Sequence, residues 1–364
     1  MIFFSHIQKM DKVLAGAAVV LAVFGIVELM AMAYGNSAMA LYQYKQLIAL
    51  GMGVMIMIAL SFLDYRFFKN NSYAVMLLYI GSVLALIALL LIGKQTRGLT
   101  GWFTIGGFAF APVETTKIVL ALLFAKYFSL RHVEMYRWFH VISSFLYVAV
   151  PMILVLAQPD LGSAVVLFSL WLGIIFFAGI SRKQIALLVL VGMVMAWTGW
   201  THALKDYQKE RIVSFVNPYH DPQGVGYNAI QAMIAVGSGG VLGKGLGYGS
   251  QVQLGFLPEA HTDFMFASIT EEFGLFGAMI VVLLLCVIVW RIARIGLHAE
   301  NNFARIFCAA MILLIFIHVV INFGMNVGLM PVIGIAFPFL SYGGSNLLAL
   351  FMGLGLVQSI HIRS

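Results

Sequence analysis

The chain has 364 residues, of which 62% are hydrophobic and 10% are charged. Soluble globular domains are about half apolar and about a quarter charged, so this composition excludes a soluble protein and predicts spanning helices. The net charge of +7 does not indicate a nucleic-acid partner, because no basic run resembles a nucleic-acid patch. Cys286 and Cys308 lie in apolar stretches without a partner at ligand spacing, and they predict neither a metal site nor a disulfide framework.

Apolar runs of spanning length recur along the whole chain. Because each crossing takes about 20 residues, the length suits one all-α membrane domain over residues 1–364, a single bundle of about ten transmembrane helices with no room for a second, soluble domain. The first run follows Lys9 and Lys12 and lacks a small-residue cleavage site, which favours a spanning helix over a signal peptide. In chain order the predicted spans are 13–34, 46–63, 72–92, 112–128, 138–157, 162–180, 184–200, 264–290, 305–324 and 341–360.

Ten crossings place both termini on the same side of the membrane. With the N-terminus in the cytoplasm, short basic loops fall on the inner side, as the positive-inside rule expects. Two long connections, 94–111 and 201–262, then lie on the outer side, and the second forms a long extracellular loop between the seventh and eighth helices. Long connections in compact domains are often functional. The second contains six glycines within residues 239–249, but no nucleotide-binding motif fits them.

Charged side chains also fall at membrane depth, where a bare charge is expensive. Glu114 and Lys117 stand three residues apart and share a helix face, so they form either a structural ion pair or part of a substrate-binding site. Asp160 joins two apolar runs with almost no loop. It is either the N-cap of the next helix or a carboxylate that orients a substrate hydroxyl or a cation at the mouth of a cavity. Glu28 and His318 are interpreted as residues that face the bundle and are satisfied across helices.

The segment 258–264 carries three ionisable side chains immediately before a long apolar helix. In the simpler alternative, Thr262 is the N-cap of that helix and Asp263 lies in its first turn. In the functional alternative, Asp263 at the edge of an apolar bundle has the proton affinity that a general base needs. Glu271 and Glu272, about two turns further on, either shape the surroundings of Asp263 or pair with basic residues.

A glycine turn, Ser341–Tyr342–Gly343–Gly344–Ser345, opens the last predicted span. Backbone amides at a helix N-terminus bind anions, although a tight helix start packed against a neighbour would use the same residues. Together with Arg97, Lys117, Lys205 and Arg211, the turn predicts a phosphate-binding surface on the outer side. Phosphate on a membrane substrate suggests a lipid carrier.

In chain order these segments resemble the SEDS family of shape, elongation, division and sporulation proteins, whose best-known members are RodA and FtsW. The resemblance extends from about Lys94 to the C-terminus, and its last two motifs are very specific. One departure, at 111–114, affects the local helix cap but leaves Glu114 and Lys117 in place. The matching stretches are Trp102–Phe103, Pro112–Lys117, Gln158–Gly162, Arg211–Ile212, Asn217–Pro218, Asp221–Pro222, Gly226–Asn228, Gly237–Gly240, Leu257–Phe264 and Pro338–Ser345.

The resemblance implies a peptidoglycan glycosyltransferase that polymerises lipid II, the undecaprenyl-pyrophosphate-linked disaccharide-pentapeptide, on the outer face of the bacterial cytoplasmic membrane. Asp263 is expected to be the catalytic general base. The sequence requires no cofactor or metal ligand set, although a divalent cation could assist at the pyrophosphate. Lys205 and Arg211 are assigned to the pyrophosphate. The residues expected to bind substrate or build the site are Glu114, Lys117, Asp160, Arg97, Lys205, Arg211, His261, Ser341, Gly343, Gly344 and Ser345.

The resemblance also implies a partner, a class B penicillin-binding protein that crosslinks the new glycan and activates the polymerase. The stretch 324–332 and the ending Gln358–His361 are more similar to RodA than to FtsW, which favours elongation and cell-shape maintenance over division. Apart from an FtsW-like division polymerase, two alternatives are a flippase for lipid-linked precursors, which would use the same cavity and charges, and a scaffold for the wall-building complex.

Overall fold

A computed structural model describes residues 2–34, 37–93, 101–105, 108–131, 138–203, 206–224 and 226–364 of the chain. Over these residues the chain is mainly helical, with one short β-hairpin. The elements in chain order are α1 Ile2–Lys9, α2 Lys12–Ala33, α3 Ser37–Phe62, α4 Arg66–Asn70, α5 Ser72–Ile92, β1 Phe103–Ile105, β2 Phe108–Phe110, α6 Pro112–Arg131, α7 Trp138–Ala157, α8 Leu161–Phe177, α9 Arg182–Thr198, α10 Asp206–Val216, α11 Tyr227–Ser238, α12 Ser250–Gln253, α13 Met265–His298, α14 Asn302–Asn326 and α15 Gly344–Ile362.

The predicted spans correspond to helices α2, α3, α5 to α9 and α13 to α15. Among the described residues, eight helices are long and apolar enough to cross a membrane, and the 17-residue α8 is a shorter apolar helix. Helix α6 is less apolar because it contains charged residues such as Glu114, Lys117 and Lys126. The spans 72–92 and 138–157 agree with α5 and α7 at both ends, whereas α3 begins well before the predicted residue 46.

The two long connections contain more regular structure than the sequence analysis predicted. In the first, β1 and β2 pair antiparallel, with Phe103 opposite Phe110. In the second, α9 continues into a π-helical turn at Gly199–Ala203, and α10, α11 and α12 follow. The segment predicted as one long loop therefore contains three short α-helices and a 3-10 turn at Pro218–His220 within its described part.

The two ends of the bundle carry different chemistry. At one end the Asp11 N–H donates to Gln358 Oε1 at 2.8 Å, and Asp11 pairs with Arg291 at 2.5 Å, so the start of α2 and the ends of α13 and α15 lie together. The opposite end carries the hairpin and the starts of α6, α8, α13 and α15. That second end contains the described side chains that the sequence analysis assigned to the site.

Helix α13 is bent at Gly274, whose backbone is not helical, with φ 67° and ψ −162°. Glycine takes positive φ at little cost, and a Cβ atom here would lie 2.3 Å from the backbone nitrogen of Gly243. Gly243 belongs to the glycine loop, residues 239–249, which lies against the bend. The close approach of the two backbones explains why glycine stands at both positions.

The glycine loop supplies hydrogen bonds to backbone groups of α13 around the bend. The Lys244 N–H donates to the Glu271 carbonyl oxygen at 3.0 Å, and the Leu275 N–H donates to the Gly240 carbonyl oxygen at 2.9 Å. A bend breaks the regular hydrogen-bond ladder of a helix, and buried backbone groups need other partners. The glycine run is therefore a structural partner of α13, which agrees with the absence of a nucleotide-binding motif in it.

Candidate active site

Asp263 lies two residues before α13 and is partly exposed. Its backbone carbonyl oxygen accepts two hydrogen bonds, from Asn322 Nδ2 at 2.8 Å and from Asn326 Nδ2 at 3.1 Å. Both asparagines are fully buried and stand one turn apart on α14. Because the contacts are made to the main chain, they fix the position of Asp263 without using its carboxylate.

The simpler alternative, with Thr262 as the N-cap of α13 and Asp263 in its first turn, is wrong. The Thr262 hydroxyl lies 3.3 Å from the carbonyl oxygen and 3.2 Å from a carboxylate oxygen of Glu259, and α13 begins three residues later, at Met265. Glu259 has a positive φ of 53°, and the chain turns back so that the N–H groups of Thr262 and Phe264 both donate to its carbonyl oxygen. This turn takes the Thr262 side chain away from the helix start.

Asn326 provides the missing cap from another helix. Its Oδ1 atom accepts a hydrogen bond from the Ala267 N–H, in the first turn of α13, at 2.9 Å. The first N–H groups of a helix have no partner within the helix, so a buried helix start requires such an acceptor. The same side chain thus holds both the Asp263 backbone and the first turn of α13.

The segment 333–335 borders the Asp263 carboxylate. The Ile335 carbonyl oxygen accepts a hydrogen bond from Asn322 Nδ2 at 2.6 Å, and a Cβ atom on Gly334 would lie 3.5 Å from Asp263 Oδ2. Helix α8 packs on the same segment, because a Cβ atom on Gly162 would lie 2.5 Å from the Ile333 carbonyl oxygen. The starts of α8 and α13 therefore meet at this segment.

Asp160 is the N-cap of α8. Its Oδ1 atom accepts a hydrogen bond from the Ser163 N–H at 2.9 Å, and the residue remains partly exposed. The capping alternative is confirmed in this geometry. The start of α8 and the Asp263 carboxylate both lie at the segment 333–335. Asp160 is therefore near the candidate base, and its role in substrate binding stays a prediction.

Glu114 and Lys117 form the predicted ion pair, with Lys117 Nζ 2.8 Å from Glu114 Oε1. Lys117 is only 3% exposed and also lies 3.1 Å from His318 Nε2. The Nδ1 atom of His318 is 2.7 Å from the Leu314 carbonyl oxygen, so we assign its proton to Nδ1, which leaves Nε2 to accept from Lys117. His318 precedes Asn322 by one turn, so the pair connects α6 to the face of α14 that holds Asp263.

His261 is buried within a small aromatic cluster. Its ring stacks on Tyr42 of α3, with ring centroids 4.7 Å apart, and its carbonyl oxygen accepts the Tyr342 N–H at 2.9 Å. Tyr342 packs on both rings, and burial raises the pKa of its phenol. The cluster fixes the turn before α13 against the turn before α15.

The glycine turn before α15 is mostly engaged by the protein itself. The Gly343 N–H donates to Gln46 Oε1 at 3.1 Å, and the Ser341 hydroxyl accepts the Phe337 N–H at 2.9 Å. The Gly343 N–H is therefore not available to the predicted anion site. The N–H groups in the first turn of α15, which begins at Gly344, remain the candidates. The tight-packing alternative explains Ser341 and Gly343.

Ser345 joins α15 to the hairpin. Its hydroxyl donates to the Ala109 carbonyl oxygen at 3.0 Å and accepts the Ala111 N–H at 2.9 Å. Both hydrogen-bonding functions of this buried hydroxyl are used within the protein. Ser345 therefore builds the site, and substrate binding by its side chain stays a prediction.

Three of the four cations assigned to the phosphate-binding surface cannot be placed in the same way. Arg97 and Lys205 lie outside the described residues. Arg211 lies in α10, but its side chain is outside the described part. Their roles stay predictions.

Comparison with known proteins identifies the group to which this arrangement belongs. The sequence profile of the cell cycle protein family of FtsW, RodA and SpoVE matches residues 9–364. The chain belongs to this family. It is the SEDS family that the sequence motifs resembled.

Relatives within the SEDS family include proteins named peptidoglycan glycosyltransferases. The chain is 35% identical over 312 residues to the peptidoglycan glycosyltransferase MrdB of Escherichia coli K12, covering 86% of this chain and 83% of that protein. It is 34% identical over 324 residues to the stage V sporulation protein E of Bacillus subtilis, covering 87% and 86%. It is 37% identical over 283 residues to the probable peptidoglycan glycosyltransferase FtsW of Acinetobacter baylyi, covering 77% and 70%.

Solved structures share the SEDS fold. A chain from a peptidoglycan synthase complex that coordinates polymerization and crosslinking superposes with a TM-score of 0.80 at 29% identity, covering 97% of both chains. The rod shape-determining protein RodA of Thermus thermophilus superposes with a TM-score of 0.71 at 27% identity, covering 97% of this chain and 96% of that one. The fold is thus that of RodA along almost the whole chain.

Four residues of this SEDS site were missed by the sequence analysis: Asn322 and Asn326 on α14, and Tyr42 and Gln46 on α3. A usable signal existed for the asparagines, because two amide side chains four residues apart interrupt an apolar span on one helix face. No local pattern indicates their partner, since Asp263 is 59 residues before Asn322. Gln46 and its partner Gly343 are 297 residues apart.

Among the described residues, no group of three or more His, Cys, Asp or Glu side chains is placed to hold a metal ion. The Glu114 carboxylate, for example, is paired with Lys117. A divalent cation at the pyrophosphate stays a prediction, in which the substrate itself would contribute oxygen ligands.

Proposed function

We propose that this chain is a peptidoglycan glycosyltransferase that polymerises lipid II during cell elongation and the maintenance of cell shape. The similarity to proteins named peptidoglycan glycosyltransferases and to RodA supports this role. The observation that carries the proposal is the partly exposed Asp263, anchored through its backbone by two buried asparagines. An anchored main chain with an accessible carboxylate suits a general base.

The proposed reaction uses two molecules of lipid II. Asp263 takes the proton of an acceptor hydroxyl, whose oxygen attacks the anomeric carbon of the second molecule and forms the glycosidic bond. The bond between that carbon and the pyrophosphate oxygen breaks, and undecaprenyl pyrophosphate leaves with its electron pair. Because pyrophosphate is already a good leaving group, the second requirement is neutralisation of its charge rather than a general acid. Arg97, Lys205 and Arg211 are the proposed cations.

We place the chain in the bacterial cytoplasmic membrane as a multi-pass protein with both termini in the cytoplasm and Asp263 on the outer face. The basic residues at the end of the bundle opposite Asp263 support this orientation, because positive charge favours the cytoplasmic side. Arg66, Arg291 and Arg363 all lie at that end, where they contact the acidic residues Glu300, Asp11 and Asp64, respectively.

We also propose that the chain works with a class B penicillin-binding protein, a transpeptidase that crosslinks the new glycan. The similarity to a chain from a complex that coordinates polymerization and crosslinking supports this partner. Lipid II and the surrounding membrane lipids are the other expected contacts.

A polymerisation assay tests the function. Purified protein is incubated with lipid II in detergent, together with the proposed partner, and glycan strands are separated on a gel. We expect wild-type protein to form polymer. In a separate assay with vesicles, transfer of lipid II across the membrane without polymer would support a flippase instead. The absence of both activities would support the scaffold alternative.

The Asp263→Asn variant tests the general base in the same assay. General-base assistance contributes about 100- to 10,000-fold in rate, so we expect the polymerisation rate to fall by about that factor while the protein remains folded. Asp64→Asn is the matched control, since Asp64 is an accessible aspartate at the opposite end of the bundle. A wild-type rate from Asp263→Asn would contradict the assignment.

A further inference from the structure

A cavity lies at the end of the bundle opposite Asp263, between the last turns of α13 and the end of α15. Its volume is about 310 Å³. We call it the basic pocket, and its lining residues are Arg291, Arg294, Ile295, His298, His361 and Ser364. The lining contains two guanidinium groups and two imidazoles but no acidic side chain.

The two arginines of the basic pocket differ in their partners. Arg291 is neutralised by Asp11, with Nη2 2.5 Å and Nε 2.6 Å from Asp11 Oδ2. Arg294 has no carboxylate partner among the described residues, and its guanidinium carbon lies 5.8 Å from the centre of the Trp290 ring. Among the described residues, no carboxylate side chain therefore neutralises the charge of Arg294. Because a guanidinium group presents several N–H donors in a plane, it suits the oxygens of a phosphate group.

An apolar surface adjoins the basic pocket. Trp290, Arg294 and Leu297 follow one another at spacings of four and three residues, so they share one face of α13. Trp290 is 56% exposed and Leu297 is 78% exposed. Exposed tryptophan beside arginine at the end of a spanning helix is typical of the boundary between headgroups and acyl chains. A ligand at Arg294 would therefore meet charge on one side and hydrocarbon on the other.

We propose that the basic pocket binds the headgroup phosphate of an anionic phospholipid, with its acyl chains along Trp290 and Leu297. Basic pockets between helices at a membrane surface favour anionic headgroups, and each nearby basic residue strengthens such binding about fivefold. The apolar face favours a lipid over free phosphate, which has no acyl chain to place there. The site is separate from Asp263 and does not depend on the proposed reaction.

Native mass spectrometry of the full chain tests the site directly. The protein is purified in detergent, mixed with equal amounts of phosphatidylglycerol and phosphatidylcholine with the same acyl chains, and the retained lipids are counted. We expect preferential retention of phosphatidylglycerol by wild-type protein. The double variant Arg294→Gln/His298→Gln should lose that preference by about fivefold or more.

The matched control is Arg182→Gln, which removes an exposed arginine at the start of α9, outside the basic pocket. It should retain the wild-type preference, and thermal unfolding checks that all variants fold. Equal phosphatidylglycerol retention by wild type and double variant would overturn the proposal. Displacement of the lipid by millimolar inorganic phosphate would also overturn it, since the site would then be one for free phosphate.

Discussion

Carboxylates lie at both ends of the part of α13 that precedes its bend at Gly274. Asp263 lies just before the helix, Glu271 lies just before the bend, and the protein binds the two residues in different ways. At Asp263, two asparagines bind the backbone, and the side chain stays partly exposed. At Glu271, the protein binds the carboxylate itself, because Oε1 accepts from Lys244 Nζ at 2.6 Å and from the Gln251 N–H at 3.0 Å. The asparagine contacts at Asp263 are made to its main chain, whereas Glu271 is also bound through a carboxylate oxygen.

Glu271 belongs to a group of three buried carboxyls. Glu272 Oε2 accepts the Gly247 N–H at 2.8 Å, and Glu28 Oε1 accepts the Ser268 hydroxyl at 2.7 Å. The other oxygens of Glu28 and Glu271 have no hydrogen-bond partner among the described residues. Of the two alternatives for Glu271 and Glu272, pairing with a basic residue is therefore confirmed for Glu271. Both residues hold the glycine loop to α13.

The largest effect on stability is expected when Glu271 loses its cation. Lys244→Met should lower the free energy of unfolding by about 3 kcal/mol, because it leaves a fully buried carboxylate without its charge partner. This figure is at the lower end for a buried pair, since Lys244 is 28% exposed. Thermal unfolding in detergent measures it. Lys183→Met, at an exposed lysine of α9, is the control and should change little.

A double variant sharpens this result. Glu271→Gln removes the charge, so Lys244→Met should cost much less in that background than in the wild type. Equal costs in both backgrounds would mean that the ion pair contributes nothing, and the contrast between Asp263 and Glu271 would then fail.

The next effect is expected at the asparagine that serves both Asp263 and α13. Asn326→Ala should destabilise the protein by about 1–2 kcal/mol, because it removes the cap on the Ala267 N–H and a donor to the Asp263 carbonyl oxygen. It should also slow polymerisation by up to about 100-fold, since a displacement of about 1 Å at a reacting group has that effect. The rate and KM with lipid II and the unfolding temperature are measured together.

Asn301→Ala is the matched control for Asn326→Ala. Asn301 caps α14, accepting the Ala304 N–H at 3.1 Å, near the end of the bundle opposite Asp263. It should lose similar stability but keep the polymerisation rate. If both variants slowed polymerisation equally, Asn326 would act only through stability, and the main-chain anchor would not explain catalysis.

The sequence predicted the bundle because a spanning helix requires a run of about 20 apolar residues, which is visible in the sequence, as 72–92 and 138–157 illustrate. It also predicted contacts within one turn, such as Glu114 with Lys117 and the Asp160 cap. It failed where a contact joins distant parts of the chain. The alternative with Thr262 as a cap is wrong, because the acceptor in that place, Asn326, comes from another helix. Short elements such as α10 to α12 have no long apolar run to reveal them.

The smallest effect on stability is expected at Asp160. Its substitutions test whether this carboxylate is structural, like Glu271, or acts on substrate, as proposed for Asp263. Asp160→Ala should lower the free energy of unfolding by about 1 kcal/mol through loss of the cap on the Ser163 N–H. Asp160→Asn keeps a capping oxygen, so it should restore both stability and polymerisation if the side chain acts through its oxygen alone. Thermal unfolding and the glycan gel measure the two quantities. A stable but inactive Asp160→Asn protein would show that the charge acts on substrate and would group Asp160 with Asp263.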